Sequence, residues 1–144
     1  MKIKLLLLFL LLATASPKLF GQVFVSYHQS NIPFAGIGYD FKRFAPEVRV
    51  STNVFVDDVS VEFVLPVKVL SKENYYVDAG AGVRSNSFRG LVVPIGFAAF
   101  PFANKGLAFH GEIAVISDFE SSAILRGSWG IMYRFGRGNI ESIE

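Results

Sequence analysis

Residues 122–135, SAILRGSWGIMYRF, alternate between two chemically different sets of side chains. From Ala123 to Phe135, every second residue is apolar or glycine, and this set ends in aromatics. The residues between them include Arg126 and Arg134 together with small side chains. A period of two predicts an extended strand whose two faces lie in different environments. A strand of about ten residues with an apolar, aromatic-tipped face is the unit from which membrane β-barrels are built.

The chain between residue 22 and this stretch divides into similar segments separated by short clusters of turn-forming residues. We predict eight strands, at residues 22–29, 34–42, 47–55, 59–70, 75–84, 89–102, 107–117 and 122–135. We call each of the two alternating sets of positions along a strand a phase. The sixth strand is apolar on both phases, and Pro94 lacks a backbone N–H donor, so we expect a bulge or a local distortion there. The fold class predicted is all-β: an eight-stranded antiparallel up-and-down transmembrane β-barrel with a packed polar interior.

The N-terminal 21 residues have the layout of a secretory signal peptide. Lys2 and Lys4 precede an unbroken apolar run at residues 5–12, which is too short to span a bilayer, and small residues follow it. Cleavage is expected after Ala15 or after Gly21. The remainder is predicted to form one domain, a barrel over residues 22–135, followed by a polar C-terminal tail at residues 136–144.

Composition excludes several classes of function. The 144 residues contain no cysteine and two histidines, so no common zinc pattern can be drawn and we expect no metal or other cofactor. The net charge is +2, and no basic cluster is long enough to suggest binding to nucleic acid. An exported domain of this size without disulfides needs another source of stability, such as a closed sheet in lipid.

Charged residues sort onto one phase of the predicted strands. In five strands that carry two charges, both fall on the same phase, which favours strands with two strictly different faces. The charged phase also holds many glycines and serines, which suit the narrow interior of an eight-stranded barrel, whereas the opposite phase is rich in Val, Leu, Ile and Phe and is expected to face lipid. The residues predicted to form an interior polar network are Asp40, Lys42, Glu47, Arg49, Glu62, Lys68, Asp78, Arg84, His110, Glu112, Arg126 and Arg134.

Aromatic residues gather near the predicted strand ends. In membrane barrels such residues form girdles at the two interfaces between lipid and water. With the N-terminus in the periplasm, most of these strand ends fall on the periplasmic rim. The predicted membrane-interface aromatics are Tyr39, Phe41, Tyr75, Phe102, Phe109, Trp129, Tyr133 and Phe135.

The chain after the signal resembles small eight-stranded outer-membrane β-barrel proteins of Gram-negative bacteria. Residues 127–135 resemble the aromatic last strand by which the barrel-assembly machinery recognises such proteins. Residues 93–96 (Val-Pro-Ile-Gly) and 100–102 (Phe-Pro-Phe) are similar to small barrels of Bacteroidetes-type bacteria. The resemblance implies a location in the bacterial outer membrane, with outer-membrane lipids and the assembly machinery as partners. We expect a non-enzymatic structural or surface-interaction role.

Two other functions remain open at this point. Residues 28–31 (His-Gln-Ser-Asn) are similar to the local motif of outer-membrane lipid A deacylases, which implies that His28 activates Ser30, and Asp40 could orient His28. Residues 30–33 are also an ordinary turn sequence. The second alternative is a soluble periplasmic barrel whose apolar phase turns inward to bind an apolar ligand.

Overall fold

The computed structural model describes residues 21–51, 59–86, 89–120 and 122–136. They form eight antiparallel strands in one closed barrel with up-and-down connectivity, in which β1 pairs with β8 to close the sheet. The strands are β1 (Gly21–Ser30), β2 (Phe34–Phe41), β3 (Glu47–Ser51), β4 (Val61–Ser71), β5 (Tyr75–Arg84), β6 (Gly90–Ala99), β7 (Leu107–Asp118) and β8 (Ala123–Arg134). The predicted fold class is confirmed.

We call the end of the barrel where β1 begins the near end and the opposite end the far end. The turns at residues 42–46, 72–74 and 100–106 lie at the near end, together with the first and last described residues. The turn at residues 31–33 and the described residues 59–60, 85–86, 89, 119–120 and 122 lie at the far end. Residues 1–20 and 137–144 lie outside the described part of the chain, so the predicted signal peptide and polar tail stay predictions.

The pairing register is regular at Pro94 and shifts in β4. Pro94 does not shift the register: β6 pairs with β7 through Pro94 opposite Ala114, and its pairing with β5 resumes unchanged after a short gap. The expected distortion is therefore an interruption of the β5–β6 ladder at Pro94, without a bulge. The register shift lies instead between Lys68 and Leu70 in β4, so that Val69 is the extra residue.

The two faces of the barrel have opposite chemistry. Buried and exposed residues alternate along most strands, and the exposed set is dominated by large apolar side chains such as Ile95, Val83 and Ile113. The buried set contains most of the charged residues of the strands. The alternative in which the apolar phase turns inward is therefore wrong, because the Val, Leu, Ile and Phe side chains of that phase point outward.

Two apolar clusters also lie inside the barrel. The near-end cluster consists of Phe24, Ala45, Tyr76, Ala98, Phe100, Ala108 and Met132. The other consists of Val64, Val92, Ala114 and Ile116, with Ile32 of the first far-end turn packed against it. The charged side chains share the interior with these apolar residues and are 7% exposed or less, which strengthens their mutual interactions. None of the described residues belongs to a helix long and apolar enough to cross a bilayer.

Closure of the barrel can be tested by cross-linking, because the native chain contains no cysteine. Val25 on β1 and Tyr133 on β8 are direct partners, and directly opposed residues of antiparallel strands lie within the Cα separation that a disulfide spans. We expect the Val25→Cys/Tyr133→Cys variant to form an internal disulfide on mild oxidation, measured as a reducible change in gel mobility. The control, Val25→Cys/Leu125→Cys, pairs the same β1 position with the distant part of β8. Equal cross-linking in both variants would contradict the observed closure.

Candidate functional site

Charged side chains fill the interior of the barrel in equal numbers of each sign. Eleven of the twelve predicted network residues are buried. The exception is Lys42, which is exposed because β2 ends at Phe41 and the alternation stops there, so its assignment to the interior is wrong. Without it, the described interior holds five carboxylates and five Lys or Arg cations, together with two histidines.

Three glutamates and three arginines form the largest cluster, which we call the arginine–glutamate cluster: Glu47, Arg49, Glu62, Arg84, Glu112 and Arg126. The Arg49 guanidinium donates through Nη1 and Nη2 to both carboxylate oxygens of Glu112, at 3.0 and 2.6 Å, and through Nε to Glu47 at 2.8 Å. Arg126 donates to both oxygens of Glu62, at 2.5 and 3.1 Å, and to Glu112 at 3.1 Å. Paired two-point contacts of this kind are the strongest and most directional ion pairs in proteins.

The cluster is continuous across the lumen. Arg84 donates to Glu62 at 2.5 Å, and the Ser26 hydroxyl donates to Glu47. Arg49 on β3 and Glu112 on β7 come from opposite walls, and they are 63 residues apart in the chain. Burying one unpaired charge here would cost several kcal/mol, so each member depends on the others remaining ionised and in place.

The Phe34 ring is an aromatic centre within this charged region. Its centroid lies 4.6 Å from the Arg49 guanidinium carbon and 4.5 Å from that of Arg126. The His28 ring stacks on Phe34 with centroids 4.5 Å apart and planes 12° from parallel. Both cations are within the range of favourable cation–π contact, and they are desolvated, which strengthens it.

A second group of charges lies at the near end. Lys68 donates to Asp40, and Arg134 Nη2 lies 2.5 Å from the other oxygen of the Asp40 carboxylate. The Arg134 guanidinium also covers the Phe100 ring at 4.0 Å and the Tyr76 ring at 5.6 Å. Aromatic faces and one carboxylate therefore hold two cations in this part of the interior.

Two histidines connect the charged groups. His28 Nδ1 lies 3.3 Å from the Ser128 hydroxyl, and its Nε2 lies 3.2 Å from Nδ1 of His110. The other His110 nitrogen lies 3.9 Å from the Asp78 carboxylate and has no hydrogen-bond partner in the described part of the chain. Sequence reasoning placed His110 inside but missed the inward position of His28, which follows from its place on the same phase as Ser26.

The residues of the proposed hydrolase motif do not come together. His28 contacts Ser128 and His110 in the interior. The Ser30 hydroxyl accepts a hydrogen bond from the Ile32 backbone N–H at 3.0 Å, which is the ordinary turn interaction. Asp40 pairs in register with Gln22, six residues along β1 from His28, and its carboxylate holds Lys68. The geometry therefore offers no activated serine at these positions.

Most of the predicted interface aromatics project outward near the near end. Tyr39 and Phe41 contact each other with centroids 4.7 Å apart, and Tyr133 and Phe135 with centroids 5.1 Å apart. Tyr75, Phe102 and Phe109 share this end, and Phe44 and Phe97 join them although we did not predict them. Trp129 differs, because it lies midway along β8, opposite Gln29 near the far end of β1, with 70% of its surface exposed; its assignment to the membrane interface stays a prediction.

No three His, Asp or Glu side chains within the described ranges are arranged to hold a metal ion. The interior side chains are engaged with one another in ion pairs, hydrogen bonds and ring contacts. The chemistry that this arrangement supports best is the mutual neutralisation of buried charges.

The fold is similar to that of the de novo designed protein TMB2.3, whose structure was determined in solution by NMR. The TM-score is 0.55 at 17% sequence identity, and the match covers 81% of this chain and 94% of the designed chain. At this identity the likeness concerns the fold alone. No protein-family model matches the sequence, and no curated protein matches it.

Glu62 is the point where the arginine–glutamate cluster is most vulnerable, because its carboxylate accepts from Arg126 and Arg84. We expect Glu62→Gln to lower the free energy of unfolding by about 3–5 kcal/mol, since it leaves three buried guanidiniums with two carboxylates. The measurement is the denaturant midpoint followed by Trp129 fluorescence. Glu120→Gln, an exposed far-end control, is expected to leave the midpoint unchanged. Equal midpoints for the two variants would show that the cluster contributes no stability.

Phe34 provides a second test of the interior. We expect Phe34→Leu to destabilise the barrel by about 2 kcal/mol or more, because it removes the surface on which two guanidiniums and one imidazole pack. The matched control is Phe119→Leu at a far-end turn, where 83% of the ring is exposed. The same denaturation experiment applies, and a cost as small as that of the control would refute the role of Phe34 as an aromatic centre.

Proposed function

We propose that the protein is an integral outer-membrane β-barrel of a Gram-negative, Bacteroidetes-type bacterium, with a non-enzymatic structural or surface-interaction role. The observation that carries the proposal is the inverted arrangement of the barrel, in which ion pairs fill the inside and large apolar side chains cover the outside. A soluble protein rarely exposes a continuous apolar surface of this size, because contact with water makes it prone to association.

The closed sheet supports the same proposal. Backbone N–H and C=O groups have no water to bind within a bilayer, so a spanning sheet must satisfy all of them internally and leave no open edge. Here β1 pairs with β8 over seven residue pairs, from Phe24 opposite Arg134 to Ser30 opposite Ser128. The outward aromatics at the near end suit the interface between acyl chains and headgroups.

A structural role fits the interior better than catalysis does. The charged side chains inside the barrel are paired with partners across the lumen and share the interior with two apolar clusters. A catalytic site needs a pocket that admits a substrate. The charged groups of this interior instead contact one another. During biogenesis we expect the barrel-assembly machinery to act on the last strand, β8, and outer-membrane lipids are the lasting partners.

The experiment that tests this function is heat-modifiability in the outer-membrane fraction. The full-length chain is expressed in a Gram-negative host, membranes are fractionated, and the sample is run on an SDS gel with and without boiling. We expect recovery in the outer-membrane fraction and a mobility that changes on boiling, because a closed barrel resists SDS until it is heated. Recovery as a soluble protein without a mobility change would overturn the proposal.

A charge on the outer face tests whether that face contacts lipid. Ile95 lies in the middle of β6 with 60% of its surface exposed. We expect Ile95→Arg to destabilise the inserted barrel by about 2–4 kcal/mol, the cost of an arginine facing the bilayer midplane. Phe119→Arg introduces the same charge in a turn and is expected to have little effect. If Ile95→Arg were as well tolerated as Phe119→Arg, the outer face would be in water.

A further inference from the structure

An apolar groove with two cations lies on the outer surface at the near end, where the turn between β2 and β3 passes beside β4. It has a volume of about 680 Å³ and is lined by Phe41, Lys42, Arg43, Phe44, Pro46 and Leu65. The Phe44 and Leu65 side chains are exposed, as are the two cations of the turn. The surface of the groove is almost wholly apolar, and the turn that borders it carries two cations.

The backbone of the turn is held on both sides. The Phe41 N–H donates to the Phe44 carbonyl at 2.8 Å within the turn. On the β4 side, the Ala45 N–H donates to the Pro66 carbonyl at 3.0 Å, and the Lys68 N–H donates to the Arg43 carbonyl at 2.8 Å. Because these bonds fix the turn against the barrel wall, the groove is formed before any ligand arrives, which lowers the cost of binding.

The charge distribution of the whole barrel points to an anionic occupant. The described near-end turns carry four cations, Lys42, Arg43, Lys72 and Lys105, and one anion, Glu73. At the far end, the described charged residues outside the barrel interior are one cation, Arg89, and two anions, Asp118 and Glu120. Anionic lipid headgroups attract clusters of Lys and Arg near the membrane surface.

The groove also lies at the right depth in the proposed membrane. Phe41 at its edge contacts Tyr39, so the groove continues the outward aromatics of the near end. Aromatic residues of this kind mark the level of the headgroups. An acyl chain can therefore follow the apolar wall of the groove towards the bilayer centre while its phosphate stays beside the turn.

We propose that this groove binds an anionic phospholipid, with an acyl chain against Phe44 and Leu65 and the phosphate at Lys42 and Arg43. The assignment rests on the proposed membrane location. Charge complementarity selects the occupant: a zwitterionic lipid offers the same acyl chains, but its cationic group opposes the two cations of the turn.

The test is lipid binding by native mass spectrometry on the full-length protein in detergent, titrated with dioleoylphosphatidylglycerol or dioleoylphosphatidylcholine. We expect tighter binding of phosphatidylglycerol, and we expect Lys42→Gln/Arg43→Gln to weaken it by about tenfold or more, because two cations are lost from the site. The control is Lys72→Gln/Lys105→Gln, which removes the same charge from the same end outside the groove and should change binding by less than about threefold.

Each other outcome overturns the assignment in a specific way. Equal losses in the two double variants would mean general attraction to a positive surface, and equal binding of the two lipids would mean an unselective apolar contact. If the unaltered protein formed dimers and Lys42→Gln/Arg43→Gln alone did not, the occupant would be a second copy of the chain. Heat-modifiability is measured on every variant, so a folded, inserted barrel without lipid preference refutes this inference alone, whereas failure of insertion in the unaltered protein refutes the proposed function.

Discussion

The pairing of charges inside the barrel is the interaction on which the rest of the structure depends. Eight strands enclose too little space for a large apolar core, and here the lumen is filled by side chains that cannot be buried singly. The six members of the arginine–glutamate cluster come from β3, β4, β5, β7 and β8, so one network joins five of the eight strands. The Arg49–Glu112 pair crosses the lumen and thereby sets the distance between opposite walls.

Glycine on the inward face makes room for this network. A Cβ at Gly36 would clash with a Glu47 carboxylate oxygen and come within 2.6 Å of the Ser26 hydroxyl. A Cβ at Gly96 would meet both Asp78 and His110, at 2.6 and 2.8 Å. The charged groups therefore reach one another because the neighbouring inward positions carry no side chain, and the abundance of glycine on the charged phase is a packing requirement.

The alternation of side chains was sufficient to predict the strands, the closed barrel and the inward position of the charges, because a period of two depends only on the local chain. It could not predict which charges pair, since Arg49 and Glu112 are distant in sequence and meet across the lumen. Lys42 was misassigned because alternation carries no information on where a strand ends. Phe34 was not predicted as an interior residue, although it lies on the same phase as Asp40. An aromatic residue on a charged phase indicates a ring that packs against cations.

The same pattern of charges specifies the register of the strands. A shift of one residue would move a strand's buried charges to the outer face and its apolar residues into the lumen. In the proposed membrane each exposed cation would then cost about 2–4 kcal/mol near the midplane, and the lumen would lose its counterions. The one register shift in the described strands is at Val69, towards the end of β4 and beyond Lys68, the last charged residue of that strand. Ion pairs that add little net stability individually can in this way exclude registers shifted by one residue.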